Sequence, residues 1–131
     1  VIFSSVKKGG KMQYNPSLPI YIQVEADIIK DMLNGKLSSG ERLPSGRDLA
    51  VKYKINPNTA SRVYQELELK GLCFTKRGMG TFVTEDERRL KTERERRAKE
   101  YTKEYVVRMK DLSMSRELIQ EYVKEEIDAS V

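Results

Sequence analysis

Leu43-Pro44-Ser45-Gly46-Arg47-Asp48-Leu49-Ala50, with Asn56-Pro57-Asn58-Thr59 shortly after it, is the stretch that decides the fold. The Ser45 hydroxyl is suited to cap a free backbone N–H, and Asp48 three residues on completes a capping-box-like start. The helix so begun is short, with Leu49, Ala50 and Tyr53 as its apolar face. Ile55-Asn56-Pro57-Asn58 breaks it, and Asn56 as N-cap with Pro57 at the first helical position opens another. That longer helix runs to about Lys70, with Ala60, Val63, Tyr64, Leu67 and Leu69 apolar, and Asn58, Thr59, Ser61, Arg62 and Gln65 on its polar side. A short helix, a tight turn and a longer helix with a polar N-terminal end make a helix-turn-helix.

The flanks complete the picture. Upstream, Ile20, Tyr21, Val24, Ile28, Ile29, Met32 and Leu33 recur at steps of three and four, which predicts an amphipathic helix between Pro19, in its first turn, and Asn34-Gly35. Downstream of Gly71, Leu72-Cys73-Phe74-Thr75 and Thr81-Phe82-Val83-Thr84 flank Lys76-Arg77-Gly78-Met79-Gly80, the pattern of a hairpin. Three helices followed by a hairpin give the fold class. It is mainly α with a small β-hairpin: a winged helix-turn-helix over residues 12–84, with a C-terminal helical dimerisation tail over 85–131.

Charge divides the same way. Residues 1–84 carry 13 Lys/Arg against 7 Asp/Glu, and residues 85–131 carry 12 against 13. A basic head and a near-neutral tail fit a partner with a phosphate backbone. The absence of histidine and the single cysteine, Cys73, exclude Cys/His zinc sites and His-based triads or dyads, and no cofactor or metal is expected. A lone thiol suits a reducing cytoplasm, and no apolar run is long enough to span a membrane. Cys73 reads as buried packing, with redox sensing the rival role, and Tyr53, Tyr64 and Phe82 read as core.

Position assigns the chemistry. The first turns of the longer helix would enter the major groove, where Asn58, Thr59, Ser61 and Arg62 reach base edges or phosphates. Arg47 would meet the backbone or groove edge, and Lys76 and Arg77 beside Gly78 and Gly80 suit a minor-groove or phosphate contact. Ser45 is a cap, a phosphate ligand, or both; Asn58 also serves as a turn residue.

In the tail, Glu85 to Lys99 is almost all charge, with opposite signs four apart at Glu87–Lys91, Glu93–Arg97 and Glu95–Lys99. Beyond it, Ala98, Tyr101, Tyr105, Met109 and Leu112 form one stripe. After a break at Ser113-Met114-Ser115, Leu118, Ile119, Tyr122, Val123 and Ile127 form another. Tyr101, Tyr105, Met109, Leu112, Leu118, Ile119 and Tyr122 are expected to pack against a second copy of the tail, the alternative being a fold-back onto the head. A small-molecule effector at such an interface stays open, with nothing in the sequence to name it. At the other end, Lys7-Lys8-Gly9-Gly10-Lys11 before Met12 has the composition of a translated ribosome-binding site. Residues 1–11 are therefore expected to be upstream sequence or an added leader, disordered and without a fold role.

The Leu43–Ala50 and Asn56–Thr59 blocks, with Arg77-Gly78-Met79-Gly80-Thr81-Phe82-Val83, resemble the GntR family of bacterial regulators over roughly Pro19 to Val83. The Asn-Pro-Asn-Thr turn and the brief tail look most like its YtrA subfamily. The resemblance implies DNA contacts at Ser45, Arg47, Asn58, Thr59, Ser61, Arg77 and Gly78, while Arg62 rests on helix geometry alone. It further implies a homodimeric regulator acting on an inverted-repeat operator by repression, with transporter operons among its targets. One departure is Gly46, where the family usually has Glu between the Ser and Arg; its loss would loosen the helix start and alter the orientation of Arg47. The rival reading is a non-enzymatic helical adaptor whose basic face meets an acidic protein or RNA. The recognition-helix and wing spacing argues against it, since an adaptor needs neither.

Overall fold

Extended backbone at Pro19, the N-cap rather than a first-turn residue, leads into α1 (Ile20–Leu33), whose Val24, Ile28, Ile29 and Met32 face inward. The computed structural model describes residues 6–8 and 11–130. After α1 come α2 (Gly46–Tyr53) and α3 (Pro57–Leu69). Both caps form as their local sequence dictates: Ser45 Oγ accepts from the Asp48 N–H at 3.1 Å and Asn56 Oδ1 from the Asn58 N–H at 2.8 Å. Between the two helices Lys54 takes a left-handed conformation, φ 54°, which turns the chain sharply enough for α3 to pack against α2. Leu49, Ala50 and Tyr53 of α2 and Ala60, Val63 and Leu67 of α3 close over the α1 face to form the core. Leu69, expected on the apolar side of α3, is instead 81% exposed at the helix end.

Gly71, with φ +71°, releases the chain into a hairpin of strands β3 (Cys73–Lys76) and β4 (Gly80–Val83), in antiparallel register from Cys73↔Val83 to Lys76↔Gly80. The segment before α2 joins it on the other edge. Leu43 N–H donates to the Thr81 carbonyl at 2.7 Å and Val83 N–H to the Glu41 carbonyl at 2.9 Å, with a bridge at Arg42↔Phe82. Phe82 is a correction to the predicted core. It is half-buried, stacked on Phe74 with ring centroids 5.6 Å apart on one face of the hairpin. Cys73 is buried, as expected, and desolvation, with the nearby Glu68 charge, pushes its thiol up to about 12. A thiol held neutral and out of contact with water is a poor nucleophile. The folded protein should therefore leave Cys73 unlabelled by a thiol reagent at pH 8, with full labelling only in denaturant; rapid labelling of the native chain would reopen the redox role.

Structure continues on both sides of the winged helix. Residues 1–11 were expected to lack a fold role, yet Val6–Lys8 (β1) pairs antiparallel with Lys11–Gln13 (β2), and Met12 and Tyr14 pack against the core. Residues 1–5, 9 and 10 lie outside the described residues. The head also extends past residue 84. A compact unit ends at Arg94, inside helix α4 (Glu87–Asp111), with Leu90 and Glu93 buried. The reason lies in the side chains of its first turns. Arg89 Nε donates to the Lys70 carbonyl at the end of α3 at 2.6 Å, and Arg94 donates to the Leu33 carbonyl at the end of α1 at 2.9 Å. Helix termini leave such carbonyls unsatisfied, so these arginines act as remote caps.

A second compact unit runs from Glu95 onward and holds the rest of α4 and α5 (Arg116–Ala129). The break falls where predicted: Ser113 is left-handed at φ 58°, and Ser115 caps α5 through the Leu118 N–H. Not one residue of α5 is buried within the chain.

Candidate nucleic-acid interface

On a helix of 100° per residue, Asn58, Ser61, Arg62 and Gln65 fall on the side of α3 opposite Ala60, Val63 and Leu67. All four are exposed, whereas Thr59 is half-buried on the flank. The core-facing side fixes this presentation. Tyr64, packed against the core, donates its hydroxyl to the Pro44 carbonyl, which ties α3 to the residue before the Ser45 cap. Burial pushes the Tyr64 phenol well above its ordinary range, so the tie keeps its proton at any physiological pH. Ser45 is exposed, its oxygen occupied by the Asp48 N–H while its hydroxyl hydrogen stays available to another acceptor. Arg47 is exposed on the first turn of α2.

Gly46 follows Ser45 in ordinary helical backbone, and a Cβ there would meet nothing within 4 Å. The helix start survives the missing acid because Ser45 and Asp48 supply the cap. Gly46→Glu should therefore raise stability by roughly 1 kcal/mol, from lost unfolded-state freedom and a charge at the positive helix end. Thermal melts of the two proteins check this, and a lower melting temperature for the Glu variant would contradict it.

Arg77 and Gly78 lie exposed at the hairpin tip, where Gly78 has φ +77° and the Met79 N–H closes the turn on the Lys76 carbonyl at 2.9 Å. Lys76 stands over the stacked pair, 5.7 Å from the Phe74 ring and 5.5 Å from Phe82. Gly80 is more constrained than a flexible-turn reading implies. Its φ is +122°, and Arg42 Nε would sit 2.9 Å from any Cβ placed there.

Electrostatics sharpen the basic character of the head. Three of its acids are buried and spent internally: Glu25 on Lys70, Asp27 on Lys30 and the Tyr53 hydroxyl, and Glu93 on Arg89. Arg47 and Arg77 have no ion pair among the described residues. The sequence reading missed one partner altogether. Arg62 stacks its guanidinium carbon 3.9 Å from the centroid of the Tyr21 ring and donates to the Tyr21 hydroxyl at 3.1 Å.

The tail residues lie in the second unit. Tyr101, Leu112, Leu118 and Tyr122 are exposed, and Tyr105, Met109 and Ile119 are half-buried. Tyr105 and Ile119 line an apolar groove of about 380 Å³ with Val106, Val123 and Ile127, which had not been singled out as contact residues. Among the described residues no group of His, Cys, Asp and Glu is arranged to hold a metal, and no helix is long and apolar enough to cross a membrane.

Three helices, a recognition face and a basic hairpin tip on one core define the class: a winged helix-turn-helix DNA-binding protein. Residues 20–83 match the family described as bacterial regulatory proteins, gntR family. The chain is 35% identical over 112 residues to the uncharacterised HTH-type transcriptional regulator YhcF of Bacillus subtilis (strain 168), covering 86% of this chain and 93% of that one. It is 34% identical over 110 residues to the HTH-type transcriptional repressor YtrA of the same organism, covering 83% and 85%. Among solved structures, a GntR family transcriptional regulator from Listeria monocytogenes superposes with a TM-score of 0.81 at 36% identity, covering 86% of this chain and 98% of that one. The chain belongs to the GntR family of DNA-binding transcription regulators, a family of regulators rather than enzymes.

Proposed function

We propose that the protein is a cytoplasmic homodimeric repressor that binds an inverted-repeat operator through Ser45, Arg47, Asn58, Thr59, Ser61, Arg62, Arg77 and Gly78. The observation that carries the dimer is α5, a 14-residue amphipathic helix without one buried residue in the single chain. Helices of that length are marginal in water alone, so the Leu118–Ile127 stripe calls for a partner. A second copy supplies the same stripe and sets two recognition helices on two half-sites. Repression is supported by the similarity to YtrA, which is named a repressor. The subfamily resemblance extends the proposal to a transporter operon. A small effector seated in the tail groove is compatible with this scheme, and the groove is apolar enough to favour an apolar ligand.

The decisive experiment is a mobility shift with the DNA upstream of its own operon against unrelated DNA at rising salt. Retained preference for the former as salt removes the electrostatic background is expected. Equal binding to both at every salt would defeat the reading and favour an adaptor.

A further inference from the structure

The Tyr21–Arg62 pair joins α1 to the exposed face of α3 across 41 residues of sequence. An unrestrained arginine samples many rotamers and must be ordered when it binds. Here a ring at stacking distance and a hydroxyl acceptor have already ordered it. No carboxylate pairs with Arg62 among the described residues, so its charge remains unspent. Tyr21 is half-buried and packed against the core, which makes it a rigid support. On α3, position 62 is turned about 40° from Asn58, off the centre of the outward face, and the stacking on Tyr21 draws its guanidinium toward the α1 flank. A recognition helix reads base edges from the centre of its outward face, while its flank faces the groove wall, where the phosphates lie. The remaining N–H groups of Arg62 are donors only, matching the acceptor-only oxygens of a phosphate.

We propose that Tyr21 is a positioning residue that holds Arg62 as a backbone-phosphate clamp, so that Arg62 fixes register on the duplex without reading sequence. The inference rests on the reading that the α3 face meets DNA.

The test uses the full chain and four proteins: wild type, Tyr21→Phe, Arg62→Ala and the double variant. Affinity for the operator and for an unrelated duplex of equal length is measured across a salt series. Arg62→Ala should weaken both by a similar factor, about tenfold, and lower the salt slope by about one for each head. Tyr21→Phe keeps the ring but not the acceptor, and should weaken both about threefold. In the Arg62→Ala background it should have no effect. Melting temperatures should stay unchanged, which separates positioning from folding. Loss confined to the operator would overturn the phosphate assignment, and additive losses would overturn the role of Tyr21. A wild type that does not prefer the operator defeats the repressor reading instead. The clamp is then still judged by the losses on the unrelated duplex.

Discussion

Changing Leu118 and Tyr122 to aspartate together is expected to convert the protein to monomers and weaken operator binding about 100-fold. Each side chain is 45% exposed in the single chain, so a carboxylate there costs the isolated protomer little. In the proposed dimer the same carboxylates would be buried against a like surface, where an unpaired charge is strongly unfavourable. The loss in DNA affinity comes from geometry rather than from contacts. A tethered second head meets its half-site at high effective concentration, and an untethered one must find it from bulk solution. Light scattering at micromolar protein and operator titrations read the two effects separately. A variant that stays dimeric, or whose operator affinity falls by less than about threefold, would contradict the tail-dimer proposal.

Arg89→Ala is expected to destabilise the head by about 3 kcal/mol, toward the lower end for a broken buried ion pair because Arg89 reaches water. The Arg89 side chain is 27% exposed and Glu93 only 2%, and the two terminal guanidinium nitrogens bond Glu93 Oε2 at 3.2 Å. Alanine would remove two donors of a buried carboxylate and also uncover the Lys70 carbonyl that ends α3. A paired control identifies the cause. Arg89→Met with Glu93→Leu removes the buried carboxylate together with the guanidinium and should recover much of the loss. Denaturant unfolding gives both numbers; a double variant as unstable as the single would mean that the ion pair is not what holds this junction.

How far the sequence reveals this molecule follows from the range of each interaction. The α2 and α3 starts were readable to the residue because a cap acts within three residues: Ser45 on Asp48, Asn56 on Asn58. Apolar periodicity is local as well and placed α1, although Pro19 precedes that helix as its N-cap instead of lying in its first turn. The candidate interface was legible as positions on helix starts and a loop tip, but its internal wiring was not. Tyr21 looked like one more apolar point of α1, and only packing brings it to Arg62. Gly80 looked like loop slack, because the guanidinium that excludes a side chain there belongs to Arg42. The edge pairing of Glu41 and Leu43 with β4 left no trace in a turn-rich segment. The change of composition after residue 84 gives no sign that the first turns of α4 pack on the head. What extends the head is two arginines bonding to carbonyls of α3 and α1, and any arginine-rich helix has the same composition.

The reach of Arg94 back to Leu33 bears on how such a regulator can be taken apart. A designer wishing to graft a different sensor onto this head would be tempted to cut at the loop after Val83. That cut would discard Leu90, Glu93 and both capping arginines, leaving two helix ends uncovered and a hole in the core. The transplantable unit ends inside α4, past Arg94, so an exchanged module must be joined within that helix and not at the loop before it.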